Sequence, residues 1–317
     1  MDSEQGRQSS PEQPFPPAVP QFPQTNWLHG PHGLRSGWRL LVYLLMVIAM
    51  SAAAAIAARV LFRPTGEATP QALLVQELVS FTVVFGAAYF MSQVERRLLG
   101  EYGLPLTGLL GANFWWGFLF GIVEVCALMG LISAFGGYSF GDVALHGGQI
   151  FRWGAFHLLL FFFVGLFEEF LFRGYTQFTL GDGIGFWPAA ILLSLGFGAV
   201  HLSNPGEGLV GAASVALVGL FFCFTLRRTG NLWYAVGLHA SFDWGETFLF
   251  SVPDSGAVLQ GHLSNAILHG PKWLTGGSVG PEGSVFCFVT MALQFLVVAL
   301  LFPVKKDQLP ESPQVSA

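Results

Sequence analysis

Charged residues are scarce in this chain. Asp, Glu, Lys and Arg make up only 10% of its 317 residues, whereas a soluble domain carries about 25%. The net charge of -5 is spread over tails and loops, so no nucleic-acid partner is predicted. Cysteine is also rare, and Cys126, Cys223 and Cys287 lie in separate apolar segments without a CxxC spacing. That spacing argues against a disulfide framework or a zinc knuckle.

Long apolar runs take the place of the missing charges. Hydrophobic residues make up 53% of the chain, and several runs exceed the roughly 18 residues needed to cross about 30 Å of hydrocarbon. The sequence therefore predicts an all-α, polytopic membrane protein of about eight transmembrane helices with a buried polar cavity. The predicted spans are 39–62, 72–94, 114–135, 153–180, 186–203, 209–226, 231–250 and 285–302.

The two ends of the chain differ from this apolar middle. Residues 1–37 are rich in Pro, Gln and Ser and lack apolar periodicity, which predicts a disordered cytoplasmic tail. Residues 38–303 form the predicted helical transmembrane domain, and residues 304–317 form a second cytoplasmic tail. We expect no soluble domain between the spans.

The basic residues predict the orientation. An even number of spans puts both termini on one side, and a cytoplasmic N-terminus satisfies the positive-inside rule. The protein is thus expected in the plasma (inner) membrane with both termini cytoplasmic. The Gly- and Pro-rich segment 251–284 is predicted to face outward, and no chemical role is assigned to it. The predicted inside residues are Arg7, Arg35, Arg39, Arg96, Arg97, Arg227, Arg228, Lys305 and Lys306; the predicted outside residues are Arg59, Arg63, Arg152 and Lys272.

Two of the apolar runs place ionisable residues where burial is costly, which by default indicates function. In GLFEEFLFRG, Glu169 and Arg173 are spaced i, i+4 and can form an ion pair. Glu168 points about 100° away from Glu169 on the same helix and stays free. In SLGFGAVH, His201 lies four residues after Phe197 and shares its helix face.

A third run, VGLHASFDWGE, places His239 and Asp243 at i, i+4. At about 1.5 Å per residue, Glu169, His201 and His239 lie roughly 17, 22 and 12 Å from the cytoplasmic ends of their spans. Helix tilt accounts for these differences, so the three runs are expected to build one site. Other residues in the predicted spans receive no catalytic role. Glu77, Glu124 and Glu246 have no assigned role, and His157 is expected to pack in the core or to lie at an interface. Gly117 and Gly121 are expected to allow close helix packing.

Carboxylates beside imidazoles suit a hydrolytic site. A carboxylate in a low-dielectric pocket acts as a general base on water, and a nearby imidazole stabilises the oxyanion that follows. The same residue types bind zinc, which would activate the water directly. The sequence leaves both routes open, although the absence of an HExxH motif excludes zincin chemistry. A transporter or proton relay also uses buried Glu, His and Asp, but no inverted repeat is visible.

Together and in this order, the three groups resemble the motifs of the CAAX protease and bacteriocin-processing family, also called the abortive-infection family, of intramembrane endopeptidases. The family pattern is EExxxR, then FxxxH, then HxxxN or HxxxD. It appears here as EEFLFR from Glu168 to Arg173, FGAVH from Phe197 to His201 and HASFD from His239 to Asp243. The similarity covers about residues 150–250, the expected protease core, and EYGLP at 101–105 is also family-like.

The resemblance implies an all-helical membrane fold with a cavity open to the cytosol. The implied activity is cleavage of a membrane-associated protein or peptide, by CAAX-type or leader-type processing. Membrane lipid and the substrate are the implied partners. A non-catalytic immunity or scaffold protein of the same fold is the alternative.

The resemblance also implies roles for six residues. Glu168 would activate water, and Glu169 and Arg173 would support it. His201, His239 and Asp243 would position water, stabilise the oxyanion or bind metal. The implied ligands of Zn²⁺ or another divalent metal are Glu168, His201, His239 and Asp243. A metal-free glutamate mechanism stays open beside the metal route, because members of the family have been described in both ways.

Overall fold

The computed structural model describes residues 26–30, 33–62 and 69–303. Most of the two predicted tails, together with Arg7, Arg63, Lys305 and Lys306, lies outside the described residues. The chain divides into two compact units between Arg35 and Ser36. The described part of the first unit contains one antiparallel pairing, β1 (His29–Gly30) with β2 (Gly33–Leu34).

The second unit is built almost entirely of helices, which confirms the predicted helical class. One short antiparallel pairing, β3 (Tyr138–Ser139) with β4 (Ile267–Leu268), joins two of its connections. The helices are α1 (Ser36–Phe62), α2 (Pro70–Glu95), α3 (Ala112–Ala134), α4 (Gly148–Arg173), α5 (Tyr175–Ile184), α6 (Phe186–His201), α7 (Leu209–Thr229), α8 (Trp233–Trp244), α9 (Lys272–Thr275) and α10 (Val285–Leu301).

Five stretches among the described residues are long and apolar enough to cross a membrane. They are α1, α2, α3, α7 and the combined stretch of α4 and α5, Gly148–Ile184. Two shorter apolar helices, α6 and α10, do not reach this length. The protein is therefore a helical membrane protein, with five spans that meet the length and composition required where eight were predicted.

The predicted span 153–180 is bent at Gly174, between α4 and α5. The hydroxyl group of Thr176 donates a hydrogen bond to the carbonyl oxygen of Phe172 at 2.9 Å, in competition with the backbone ladder. A Cβ atom at Gly174 would lie only 2.4 Å from the carbonyl oxygen of Phe170. The bend therefore depends on a glycine, and it lies directly after the charged end of α4.

Helix α3 packs against α8 with its backbone in contact. A Cβ atom at Gly117 would lie 2.0 Å from the carbonyl oxygen of Tyr234, and one at Gly121 would lie 2.4 Å from that of Leu238. On α8, Gly237 approaches the backbone of α3 just as closely. The close packing predicted for Gly117 and Gly121 is confirmed. It fixes α8, the helix that carries two of the predicted site residues.

We expect Gly121→Ala to lower the free energy of unfolding by about 1–3 kcal/mol, because the added methyl group would overpack this contact. Gly130→Ala on the same helix is the matched control, since nothing lies within 4 Å of a Cβ atom at Gly130. Thermal unfolding in detergent micelles compares the two variants. Equal midpoints for Gly121→Ala and Gly130→Ala would show that the helices do not touch as described.

Candidate active site

The ion pair expected from the i, i+4 spacing is present on α4. Glu169 and Arg173 are both fully buried, and Nη1 of Arg173 lies 3.3 Å from Oε1 of Glu169. The guanidinium carbon also lies 4.1 Å from the ring centroid of Phe197 on α6, a cation–π contact. On α7, a Cβ atom at Gly219 would lie 2.4 Å from Nη2 of Arg173, so glycine leaves room for the guanidinium. Arg173 therefore joins α4, α6 and α7.

His239 links α8 to both glutamates of α4. Its Nδ1 atom lies 3.0 Å from Oε1 of Glu169, and its Nε2 atom lies 3.3 Å from Oδ2 of Asp243 and 3.8 Å from Oε2 of Glu168. The ring stacks on Phe222 with centroids 5.6 Å apart. Because a carboxylate only accepts, the Nδ1–H group donates to Glu169. The ring orientation is thereby fixed, with Nε2 directed at Glu168 and Asp243.

Glu168 points away from this buried layer and into a cavity. Its side chain is 24% exposed, whereas that of Glu169 is 0% exposed. The cavity has a volume of about 480 Å³. Glu169 and Arg173 lie beside the cavity without lining it. The predicted site residues that line it are Glu168, His201, His239 and Asp243.

His201 is the last residue of α6 and is held by its own helix. Its Nδ1 atom lies 2.8 Å from the carbonyl oxygen of Phe197, one turn earlier. A carbonyl oxygen only accepts, so Nδ1 carries the proton, and in the neutral ring Nε2 is left with its lone pair. His201 can therefore accept a proton or bind a metal through Nε2.

The two imidazoles are held as metal-binding histidines usually are. In each ring an oxygen atom holds Nδ1 and leaves Nε2 as the ligand atom, which is the common outer-shell pattern. Glu168 and Asp243 would complete a set of two nitrogen and two oxygen ligands, a donor set that suits zinc. These donor types suit a divalent metal and equally suit a water molecule held by Glu168, but the structure does not bring the four ligand atoms within 4.8 Å of one another.

The loop between α8 and α10 supplies cavity residues that the sequence analysis missed. Asp254, Ser255 and Glu282 all line the cavity, although the sequence assigned no chemical role to 251–284. The sequence offers only a weak signal for them, namely isolated acidic residues in a Gly- and Pro-rich segment. No motif and no helical period marks their position, because the loop reaches the cavity through tertiary folding.

The cavity is more acidic than the sequence motifs alone indicate. Carboxylate oxygens of Asp243, Asp254 and Glu282 lie within 4.8 Å of one another. An all-oxygen set of this kind suits calcium or magnesium better than zinc. Glu77 of α2 and Glu124 of α3, which had no assigned role, also line the cavity. Both therefore lie on the same cavity as four of the predicted site residues.

Glu282 in the loop makes the stability of the protein depend on pH. Burial raises its pKa from 4.5 to about 7, and the charge of Asp243 adds to this, while hydrogen bonds from Ser255 oppose it. Because the pKa is higher in the folded state, protonated Glu282 favours folding. This contribution is fully present below pH 4.5 and is lost as the pH rises through about 7.

We therefore expect the unfolding midpoint in detergent with a chelator to fall as the pH rises from 4.5 to 7. Glu282→Gln should show a smaller fall, by an amount equivalent to ~3 kcal/mol, since glutamine does not ionise. Glu101→Gln is the control, because Glu101 is exposed far from the cavity and should keep the wild-type slope. An unchanged slope in Glu282→Gln would contradict this account.

Fold and site together define a class: a helical membrane protein with Glu, His and Asp side chains gathered on one cavity. Residues 150–245 match the family model described as type II CAAX prenyl endopeptidase Rce1-like. The matched segment contains all six predicted site residues, from Glu168 to Asp243. It confirms the resemblance to the CAAX protease family for this part of the chain, and that family implies a peptidase. Comparisons with curated proteins and with solved structures gave no match.

Proposed function

We propose that the protein is an intramembrane endopeptidase that hydrolyses a peptide bond of a membrane-associated protein or peptide. One observation carries this proposal: Glu168 reaches the cavity, while its neighbour Glu169 is engaged by Arg173 and His239. One carboxylate is thus available beside two imidazoles, as general-base activation of water requires. The family match over residues 150–245 supports the same reaction class.

In the proposed reaction, Glu168 takes a proton from a water molecule in the cavity. The water oxygen attacks the carbonyl carbon of the scissile bond, and His201 and His239, each carrying a proton on Nε2 as well as on Nδ1, donate Nε2–H to the oxyanion. As the C–N bond breaks, Glu168 returns the proton to the leaving amine nitrogen. Glu169 holds His239 in place through Nδ1, and the carboxylate of Asp243 lies 3.3 Å from Nε2, where it favours the protonated ring.

A divalent metal such as zinc remains part of the proposal. Glu168, His201, His239 and Asp243 would hold it, and when bound it would lower the pKa of water and polarise the carbonyl group. Elemental analysis of the purified protein, together with a chelator test, separates the two routes. Activity lost on chelation and restored by zinc supports the metal route, and full activity after chelation supports the glutamate route.

We further infer eight transmembrane segments in the plasma membrane, with both termini cytoplasmic. The five long spans are joined by the shorter apolar helices α6 and α10. The eighth segment is α8 continued by the π-helical turn Gly245–Leu249. The distribution of basic residues supports the orientation.

Cleavage of a defined peptide pair tests the proposed function. The full-length protein in liposomes is incubated with a prenylated CAAX-type peptide and with an unprenylated membrane-spanning peptide, and products are found by mass spectrometry. We expect His201→Ala to lower turnover of the cleaved peptide by about 10²–10⁴-fold. His146→Ala is the control, because His146 is exposed before α4. Equal turnover in both variants would rule out a role for His201.

A further inference from the structure

The cavity lies at one end of the helix bundle, which we call the cavity end. Its connections contact one another directly. The backbone N–H of Ala144 donates to the carbonyl oxygen of Leu263 at 2.9 Å, and a Cβ atom at Gly256 would lie 2.4 Å from the carbonyl oxygen of Pro205. The β3–β4 pairing adds a further link. The connections that form the cavity end are residues 135–147, 202–208 and 250–284.

The opposite end of the bundle, the basic end, is held together in the same way. The backbone N–H of Leu232 donates to the carbonyl oxygen of Gly103 at 2.8 Å, and Nη1 of Arg228 donates to that of Phe302 at 3.0 Å. The described basic residues at this end are Arg39, Arg96, Arg97, Arg227 and Arg228. Those at the cavity end are Arg59, Arg152 and Lys272.

Among the residues that the structure describes, those through which the cavity reaches the surface lie towards the cavity end. Its exposed lining residues are Gln76 near the start of α2, Val200 in the last turn of α6 and Ala257 in the α8–α10 loop. On the other side, beyond Glu168, lies the fully buried pair of Glu169 and Arg173. Among the described residues, none of 96–111, 174–186 or 227–233 lines the cavity, and neither does any lysine or arginine.

We infer that the cavity opens on the non-cytosolic side of the membrane. The positive-inside rule assigns the basic end to the cytosol, and the mouth is at the other end. The family resemblance implies a cavity open to the cytosol. In this fold the mouth of the cavity and the basic end lie on opposite sides of the membrane, so both cannot face the cytosol. The charge distribution and the position of the mouth belong to this chain itself, so we give them precedence over the resemblance.

This inference rests on the proposed function where it names a substrate. The scissile segment must lie on the non-cytosolic side, so the substrate class is a peptide segment that has already been carried across or inserted through the membrane. A translocation or membrane-insertion step must therefore supply the substrate. A prenylated tail that stays in the cytosol would meet the closed, basic end of the bundle.

Cysteine labelling tests the orientation without requiring activity. Cys126, Cys223 and Cys287 are replaced by alanine, and Val258→Cys at the cavity end or Leu106→Cys at the basic end is added; both positions are well exposed, at 68% and 79%. Cells expressing the full chain are treated with a membrane-impermeant maleimide before or after lysis. We expect Val258→Cys to react fully before lysis and Leu106→Cys only after it. The reverse pattern would overturn the inference.

A second measurement keeps the native cysteines. The wild-type chain carries an epitope tag at its C-terminus, and protease is added to intact cells. We expect the tag to survive until the cells are lysed, because α10 ends at the basic end of the bundle. Loss of the tag from intact cells would place the basic end outside and overturn the inference.

Sealed vesicles separate this inference from the proposed function. A soluble peptide that detergent-solubilised protein cleaves is added to right-side-out and to inside-out vesicles. We expect cleavage by right-side-out vesicles only. Cleavage by inside-out vesicles only would overturn the inference about the cavity and leave the endopeptidase proposal standing. If no peptide is cleaved in detergent, the endopeptidase proposal fails, and the labelling result decides the orientation alone.

Discussion

Glu168→Gln is expected to reduce turnover of a cleaved peptide by about 10²–10⁴-fold, the usual contribution of a general base. Glutamine keeps the size of the side chain and one carbonyl oxygen, but it takes no proton from water. Glu168 is partly exposed to the cavity, and its Oε2 atom lies 3.8 Å from Nε2 of His239. The fold should therefore tolerate the change. Peptide turnover and the unfolding midpoint are measured on the same preparation.

Glu101→Gln is the matched control for this substitution. Glu101 is an exposed glutamate in the α2–α3 connection, at the end of the bundle away from the cavity. We expect it to keep wild-type turnover and a wild-type midpoint. If Glu168→Gln cleaved peptide as fast as Glu101→Gln, the assignment of Glu168 as the general base would be wrong.

Arg173→Met is expected to destabilise the protein by about 3–5 kcal/mol, because it leaves the buried carboxylate of Glu169 without its cationic partner. Both side chains are 0% exposed. Glu169 also holds Nδ1 of His239 at 3.0 Å, so turnover should fall together with stability. Thermal unfolding in detergent and peptide turnover report the two effects.

Two further variants show whether the buried charge is the cause. Glu169→Gln with Arg173→Met removes both charges, and we expect it to be more stable than Arg173→Met alone. Arg97→Met removes a half-exposed partner of Asp182 and should cost only about 0–1 kcal/mol. An equal loss of unfolding free energy in Arg173→Met and Arg97→Met would mean that the buried ion pair matters no more for stability than the exposed one.

The local part of the site follows from helical spacing. An i, i+4 separation brings Glu169 and Arg173 together on any α-helix, and it does the same for His239 and Asp243. The cost of charge in lipid explains why these residues turn inward, and thus why α4 and α8 meet at His239. His157 packs in the core, one of the two places expected for it. It is fully buried, and its Nε2 atom lies 3.1 Å from the carbonyl oxygen of Gln260.

The rest of the site depends on tertiary folding, and no pattern in the sequence predicts it. Asp254 and Glu282 reach the cavity from a loop with no period, and only the docking of that loop brings them to Asp243. The bend at Gly174 was equally hidden, because glycine is common within membrane helices and does not by itself mark a break. The hydroxyl group of Thr176 produces the break together with this glycine, and that pair of causes is visible only in the structure.

Hydrolysis in heavy-oxygen water tests most directly whether the cavity delivers water to a peptide bond. The wild-type protein in liposomes is incubated with the cleaved peptide in this solvent, and the new C-terminal carboxyl group is analysed by mass spectrometry. We predict one heavy oxygen in every new carboxyl group, and about 10²–10⁴-fold less labelled product from Glu168→Gln. Product without the label, or labelled product formed equally well by Glu168→Gln, would contradict the account.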